Sequence, residues 1–386
     1  MIPYGRQEIS AADIDAVVEV LKSDFLTQGP QVPAFEQGLC AVTGAQYSVV
    51  VSSATAALHL ACRALDVKPG DLVWTSDITF VASANCALYC GAKVDFIDID
   101  LRTYNLSPVA LEARLKSVRA AGGLLPKVVI PVHLCGQSCD MAAISALSRE
   151  YGFSIIEDAS HAVGARYEDQ PVGDCRYSDI TVFSFHPVKI ITTGEGGAAM
   201  TNKAALAGRM ALLRSHGITR EEPQMSHAAD GPWYYQQIDL GFNYRMTDLQ
   251  AALGLSQLAH LESWVSARNR LAERYDRLLV NLPVAVPWQH PDAYSSRHLY
   301  VIRLAADQGV AGHRKVFNAL RAGGIGVNLH YIPLHTQPYF VETQQLNGGW
   351  PEADRYYEQA ISLPMFHHMT DEQQDRVVEV LGAALE

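Results

Sequence analysis

Short apolar runs and longer stretches with helical apolar spacing alternate along the first half of the chain. Val128-Val129-Ile130-Pro131-Val132, Ser154-Ile155-Ile156 and Ile180 to Phe185 have the length and β-branched content of buried strands. The alternation holds to about Thr201 and predicts an α/β fold, a mixed and mainly parallel sheet covered by helices.

Beyond that point the texture changes. Glu221 to Gly231 is polar, carries Pro223, His227 and Asp230, and reads as a mobile loop. From Asp248 to about Leu279, Leu249, Leu253, Leu258, Leu261, Trp264 and Val265 recur at near-helical spacing, which predicts one long helix bridging two domains. Leu299 to Leu304 alternates as a strand, Arg314 to Ala322 reads as a helix stopped by Gly323-Gly324, and Thr370-Asp371-Glu372-Gln373 is a capping-box start for a closing helix. These elements predict a large domain over 1–250, including the N-terminal segment, and a smaller α+β domain over 251–386 that begins with the connecting helix.

At 386 residues and 48% hydrophobic content the chain can bury a large core. Its formal charge of −11, without a basic run to offset it, argues against nucleic acid as a partner. No apolar run approaches the roughly twenty residues of a membrane span, and Asp13, Asp15 and Glu19 interrupt the opening helix, unlike an export signal. The expectation is a cytoplasmic protein whose seven cysteines are reduced thiols. Cys135 and Cys139 lie near His133, but no second cluster completes four ligands, so no metal is expected.

Three places carry candidate chemistry. After the strand ending at Phe185 come Pro187, which stops pairing, Lys189, and then Thr193-Gly194-Glu195-Gly196-Gly197. A lysine held there is partly desolvated, and desolvation favours the neutral amine that attacks an aldehyde. Upstream, Ser154 to Asp158 ends in two carboxylates at the carboxyl edge of a strand, where open α/β sheets bind ligands; only one of Glu157 and Asp158 can face the pocket. A Schiff-base lysine with a buried carboxylate is the pair that pyridoxal 5'-phosphate requires, although a carboxylate there also reads as a turn cap. Third, Ser48 to Val51 reads as a strand, and Ser52-Ser53-Ala54-Thr55 opens an alanine-rich helix whose start can hold a phosphate or be an ordinary cap. Neither a dinucleotide glycine fingerprint nor a Walker loop is present.

Ordered motifs run over nearly the whole chain: Leu26 to Pro30, Ser53 to Leu58, Thr79-Phe80-Val81-Ala82, Glu157 to His161, Ser184 to Gly197, Gly241 to Asp248, and His330-Tyr331-Ile332-Pro333-Leu334-His335. In these the chain resembles the DegT/DnrJ/EryC1/StrS sugar aminotransferases, fold type I pyridoxal phosphate enzymes of the aspartate aminotransferase kind. The resemblance implies that Lys189 binds the cofactor aldehyde and shuttles a proton, and that Asp158 pairs with its ring nitrogen. It implies further that Phe80 stacks on the ring, that Ala54, Thr55 and Ser184 contact the phosphate, and that Asn243 reaches the phosphate of a second subunit, making a homodimer with shared sites. Candidate substrate contacts are Thr27, Gln28, Arg245, His330, Tyr331 and His335; Arg245 reads equally as an interface ion-pair residue, and the histidines and tyrosine as core or surface groups.

The chain departs from the family pattern at Ala54, where glycine is common, and at His161, where many relatives have glutamine and where either side chain can bond the cofactor's phenolic oxygen. Histidine is the choice of the pseudaminic acid branch, which implies a UDP-linked 4-keto-6-deoxy-N-acetyl sugar as acceptor, and the family resemblance implies glutamate as amino donor. Lys189 argues against the related dehydratases that carry histidine in its place. A dTDP- or GDP-linked ketosugar, or a regulatory protein that binds the cofactor without turnover, are the alternatives.

Overall fold

The structure is a computed structural model and describes residues 1–346 and 348–386, with Asp307 described by its backbone alone. Seven strands form the central sheet: β1 (Tyr47–Val51), β2 (Leu72–Ser76), β3 (Lys93–Ile97), β4 (Val128–Ile130), β5 (Ser154–Asp158), β6 (Ile180–Ser184) and β7 (Gly197–Thr201). Their order is β1-β7-β6-β5-β4-β2-β3, with β6 through β3 paired in parallel and β7 antiparallel to both neighbours. The mainly parallel sheet read from the apolar runs is thus present, closed on one side by an antiparallel pair.

Period-two alternation assigns each strand residue to a face. Val73, Val128, Ile130, Ile156 and Val182 join a core beneath α3 (Ala54–Ala64), α4 (Ala82–Tyr89) and α7 (Ala204–Leu213). Trp74, Val129 and Ile155 join the opposite core, packed by α5 (Pro108–Ala120) and α6 (Met141–Tyr151). Both faces are dry, which is why these strands read as unbroken apolar runs.

The segment expected to be one long helix is two, α8 (Asp248–Leu258) and α9 (Leu261–Leu278). At the break the Ala259 and His260 N–H groups turn back to the carbonyls of Ser256 and Gln257, three residues earlier. The side chains of Ser256 and Gln257 are held by Asp13 at 2.6 and 2.7 Å, a fully buried carboxylate of α1 (Ala11–Lys22). Leu258 and Leu261 straddle the break yet enter the same core, alongside Phe35 and Leu39 of α2 (Gln31–Thr43), so the apolar spacing runs through it without a sign.

The second half of α9 faces another core with β9 (Tyr300–Leu304), β10 (Ala360–Leu363), α10 (Gly309–Ala322) and α13 (Asp371–Leu385); β8 (Val284–Ala285) completes a three-stranded antiparallel sheet. The capping box at Thr370 forms. Glu221 to Gly231 contains one 3-10 turn, Glu222–Gln224. Three crossings blur a division by sequence. Ile2 pairs with Gly324 and Gly326 of the C-terminal part. Leu334, with Phe340 of α11 (Pro338–Thr343), packs into the core under α3, and Tyr356 of α12 (Pro351–Gln359) packs with Ile78 and Tyr104. The described residues contain no helix long and apolar enough to cross a membrane.

Candidate active site

A cavity of about 750 Å³ opens at the carboxyl ends of β5 and β6, beside the start of α3. Ile156 and Asp158 share the α3 face, so Asp158 points into the cavity and Glu157 away from it. Glu157 instead accepts from His133 Nε2 at 2.8 Å, Ser178 at 2.5 Å and Thr181 at 2.9 Å. Cys139 N–H donates to His133 Nδ1, which leaves the imidazole proton on Nε2 for Glu157.

Lys189 lies on the excursion between β6 and β7. That loop is pinned at its base by Phe185 N–H to the Gly196 carbonyl at 2.9 Å and Thr193 N–H to the Phe185 carbonyl at 3.0 Å, and Gly194 turns it at φ 78°. What surface Lys189 retains faces the cavity, and enclosure by protein atoms lowers its pKa to about 8, with Asp158 acting against the shift. An amine in this state is neutral in a useful fraction of molecules near neutral pH.

At the mouth of α3, Ser53 caps the helix by accepting from Ala56 N–H at 3.1 Å. The N–H groups of Ala54 and Thr55, in the first turn, have no intrahelical acceptor and stand at the positive end of the helix dipole. β7 comes so close that a Cβ on Gly197 would lie 2.5 Å from Ala54 N. Ser184 and the half-exposed Phe80 ring complete this side; Phe80 is 57% exposed although it follows a buried strand, its ring 6.0 Å from that of Tyr331.

The opposite wall comes from the C-terminal part. His330 Nδ1 lies 2.8 Å from Ser362 Oγ, and burial next to Lys189 lowers its pKa to about 4. His161 accepts from Cys135 N–H through Nδ1 at 3.3 Å, so its proton sits on Nε2, which donates to Tyr331 Oη at 3.3 Å. Burial, then Lys189 and His330, push its pKa well below 6.5. The titratable group expected at this position is therefore held as a neutral donor.

Of the residues singled out by sequence, the cavity brings together Ala54, Thr55, Phe80, Asp158, His161, Ser184, Lys189, His330 and Tyr331. Five others lie elsewhere in this chain. Asn243 is exposed and bridges Ser215 at the sheet edge; Thr27 bridges Thr247; Gln28 and Arg245 line a separate groove with Glu36 and Arg214. His335 stacks on Trp350, with Nδ1 2.6 Å from Asp77 and Nε2 3.2 Å from Asp354. Tyr4, Ser83, His298 and Asn328 are neighbours that sequence reasoning missed. Tyr4 arrives because the first residues pair with the C-terminal part, which no local pattern announces.

These residues fit pyridoxal 5'-phosphate. An enclosed amine of lowered pKa, a buried carboxylate on the same side, unpartnered helix N–H groups under a close backbone approach and an uncovered aromatic ring match an aldehyde, a ring nitrogen, a phosphate and a π-face.

Comparison with known proteins gives the same chemistry. A family model described as the DegT/DnrJ/EryC1/StrS aminotransferase family matches residues 7–382. The UDP-4-amino-4,6-dideoxy-N-acetyl-beta-L-altrosamine transaminase of Campylobacter jejuni is 37% identical over 389 residues, covering 100% of this chain and 98% of that protein. The solved structure of Helicobacter pylori PseC, an aminotransferase involved in the biosynthesis of pseudoaminic acid, aligns with a TM-score of 0.90 at 29% identity, over 100% of this chain and 99% of that one. The putative sugar aminotransferase Spr1654 of Streptococcus pneumoniae, in its PMP-form, aligns with a TM-score of 0.89 at 29% identity, over 100% and 99%.

Proposed function

The chain belongs to the DegT/DnrJ/EryC1/StrS aminotransferase family, and from that premise we propose that it moves an amino group from glutamate to C4 of a UDP-linked 4-keto-6-deoxy-N-acetyl sugar, the amination step of pseudaminic acid biosynthesis. It is a sugar aminotransferase whose cofactor is pyridoxal 5'-phosphate. The observation that carries the catalytic reading is Lys189, an enclosed amine of lowered pKa in the same cavity as Asp158. The C. jejuni transaminase and PseC support the substrate, as does His161 in place of glutamine.

When bound, the cofactor supplies an aldehyde for the amino group and a ring that accepts the electrons released when a proton leaves carbon. Lys189 is the residue that would hold the aldehyde, and as a neutral amine it would carry a proton between the reacting carbons. Asp158 balances the positive ring nitrogen. Ala54, Thr55 and Ser184 would bind the phosphate, Phe80 would cover the ring, and His161 would turn its Nε2–H from Tyr331 Oη to the phenolic oxygen. His330 and Tyr331 shape the sugar side. Asn243, exposed in one chain, contacts the phosphate in a second, so the working unit is a homodimer in the cytoplasm. Thr27, Gln28 and Arg245 join the substrate site through the same dimer, and His335 supports it through Asp77.

The test is the visible absorption of the purified enzyme, followed through addition of glutamate and then of the UDP ketosugar. Bleaching by glutamate and recovery with the sugar, both lost in Lys189→Ala, are expected. Bleaching that dTDP- or GDP-ketosugars reverse and the UDP sugar does not would reassign the acceptor.

A further inference from the structure

Asp158 accepts from two groups. Its Oδ1 takes Ser160 N–H at 3.1 Å, and its Oδ2 takes the Ser83 hydroxyl at 2.6 Å. Ser83 Oγ is in turn 2.7 Å from Thr79 Oγ1. An ionised carboxylate can only accept, so the Ser83 proton is committed to Asp158, and the proton between the two hydroxyls must come from Thr79. The direction of the chain is thereby fixed, Thr79 to Ser83 to Asp158.

Both hydroxyls are buried, Ser83 at 0% and Thr79 at 2% exposure, so water does not compete with either bond. The turn that leads into α4 places them. Ser83 N–H bonds the Phe80 carbonyl at 3.2 Å, so the turn that offers the Phe80 ring to the cavity also delivers the Ser83 hydroxyl to the carboxylate. Ring coverage and charge placement therefore depend on one piece of backbone.

We propose that Ser83, backed by Thr79, is a positioning residue for amino transfer: its hydroxyl fixes the rotamer of Asp158 and so sets how well the carboxylate pairs with the protonated cofactor ring nitrogen. The proposal rests on the reading of Asp158 as the partner of that nitrogen. Without the hydroxyl the Asp158 rotamer is no longer fixed, the carboxylate pairs less well with the ring nitrogen, and that nitrogen holds its proton less firmly. The ring is then less positive and withdraws electrons less well, so loss of a proton from carbon slows. The lysine nitrogen bound at the aldehyde is less repelled and titrates at higher pH.

Ser83→Ala, Ser83→Thr and Thr79→Val are compared as holoenzymes, without the sugar, by pH titration of the visible band, cofactor dissociation constant and single-turnover rate with glutamate. For Ser83→Ala the band's midpoint is expected to rise by roughly half to one pH unit and the rate to fall roughly 5- to 100-fold. Ser83→Thr should restore both, and Thr79→Val should move both in the same direction by less. Unchanged midpoint and rate in Ser83→Ala overturn the proposal; if that variant does not fold, an unchanged Thr79→Val does so. A loss of rate with the midpoint unmoved, or one that Ser83→Thr leaves uncorrected, also overturns it, since it marks a packing defect. Failure of the wild-type band to respond to glutamate is a separate outcome, and counts against glutamate as the amino donor in the proposed function.

Discussion

Glu157 and Asp158 are neighbours on one strand and face opposite sides of the sheet. Glu157 is closed off by His133, Ser178 and Thr181; Asp158 keeps a side toward the cavity. Replacing each carboxylate should therefore give different defects. Asp158→Asn should fold with near-normal stability but, on the proposed pairing with the ring nitrogen, lose roughly 100-fold or more of its amino-transfer rate, because a neutral partner would no longer keep that nitrogen protonated. Glu157→Gln should leave the visible spectrum of the bound cofactor in place and cost about 1 to 3 kcal/mol in urea denaturation.

Glu157 also predicts an acid limit. Desolvation raises its pKa, but the bonds from His133, Ser178 and Thr181 outweigh that and leave it lowered from 4.5. A carboxylate with a lowered folded pKa contributes stability above its unfolded value, and that contribution is lost as pH falls through the folded one. Denaturation midpoints of the wild type should fall below pH 4.5 more steeply than those of Glu157→Gln. Equal slopes would remove Glu157 from the account.

Lys189 makes the opposite demand. Its pKa near 8, against 10.5 as a free side chain, means that the folded apoenzyme binds the proton less well than the unfolded chain. The cost, about 3 kcal/mol, is fully present below pH 8 and disappears as pH rises toward 10.5. The stability difference between apo Lys189→Met and apo wild type should accordingly favour the variant near neutrality and shrink across that window. The rate at which the apoenzyme binds the cofactor aldehyde should rise with pH through about 8, as neutral amine accumulates.

At His161 the expected pH effect is small. Cys135 N–H occupies Nδ1 and burial keeps the ring neutral, so the residue offers one N–H donor to the cavity. Glutamine offers the same donor. His161→Gln should keep activity within roughly 10-fold and leave the pH profile above about 6 unchanged. A limb that disappears from the profile with this substitution would show that the ring titrates during turnover.

How much of this was legible follows from range. Lys189, Asp158 and the start of α3 stand where apolar strands end, and strand length is a local signal. Strand alternation left the choice between Glu157 and Asp158 open, because period two says that they differ, not which face carries the cavity; the family resemblance alone named Asp158. The break between α8 and α9 was hidden because Leu258 and Leu261 serve the same core on either side of it. Ser83 and Tyr4 were missed because their partners lie 75 residues away in one case, and across the pairing of Ile2 with Gly324 in the other.

Asn243 allows a test of the proposed dimer that needs no new structure. It is exposed in the single chain, and its proposed contact is the phosphate of the other subunit's site. Asn243→Glu should place a negative charge against that phosphate and weaken cofactor binding, while Lys189→Ala leaves its own site without the reacting amine. In a mixed dimer of the two variants one site carries both defects, and the other draws its lysine and its Asn243 from intact positions. Random exchange makes about half of the dimers mixed, so about a quarter of wild-type activity should return on mixing two nearly inactive proteins. No recovery, with subunit exchange verified by native mass spectrometry, would mean that each chain completes its own phosphate site, and Asn243 would leave the proposed mechanism.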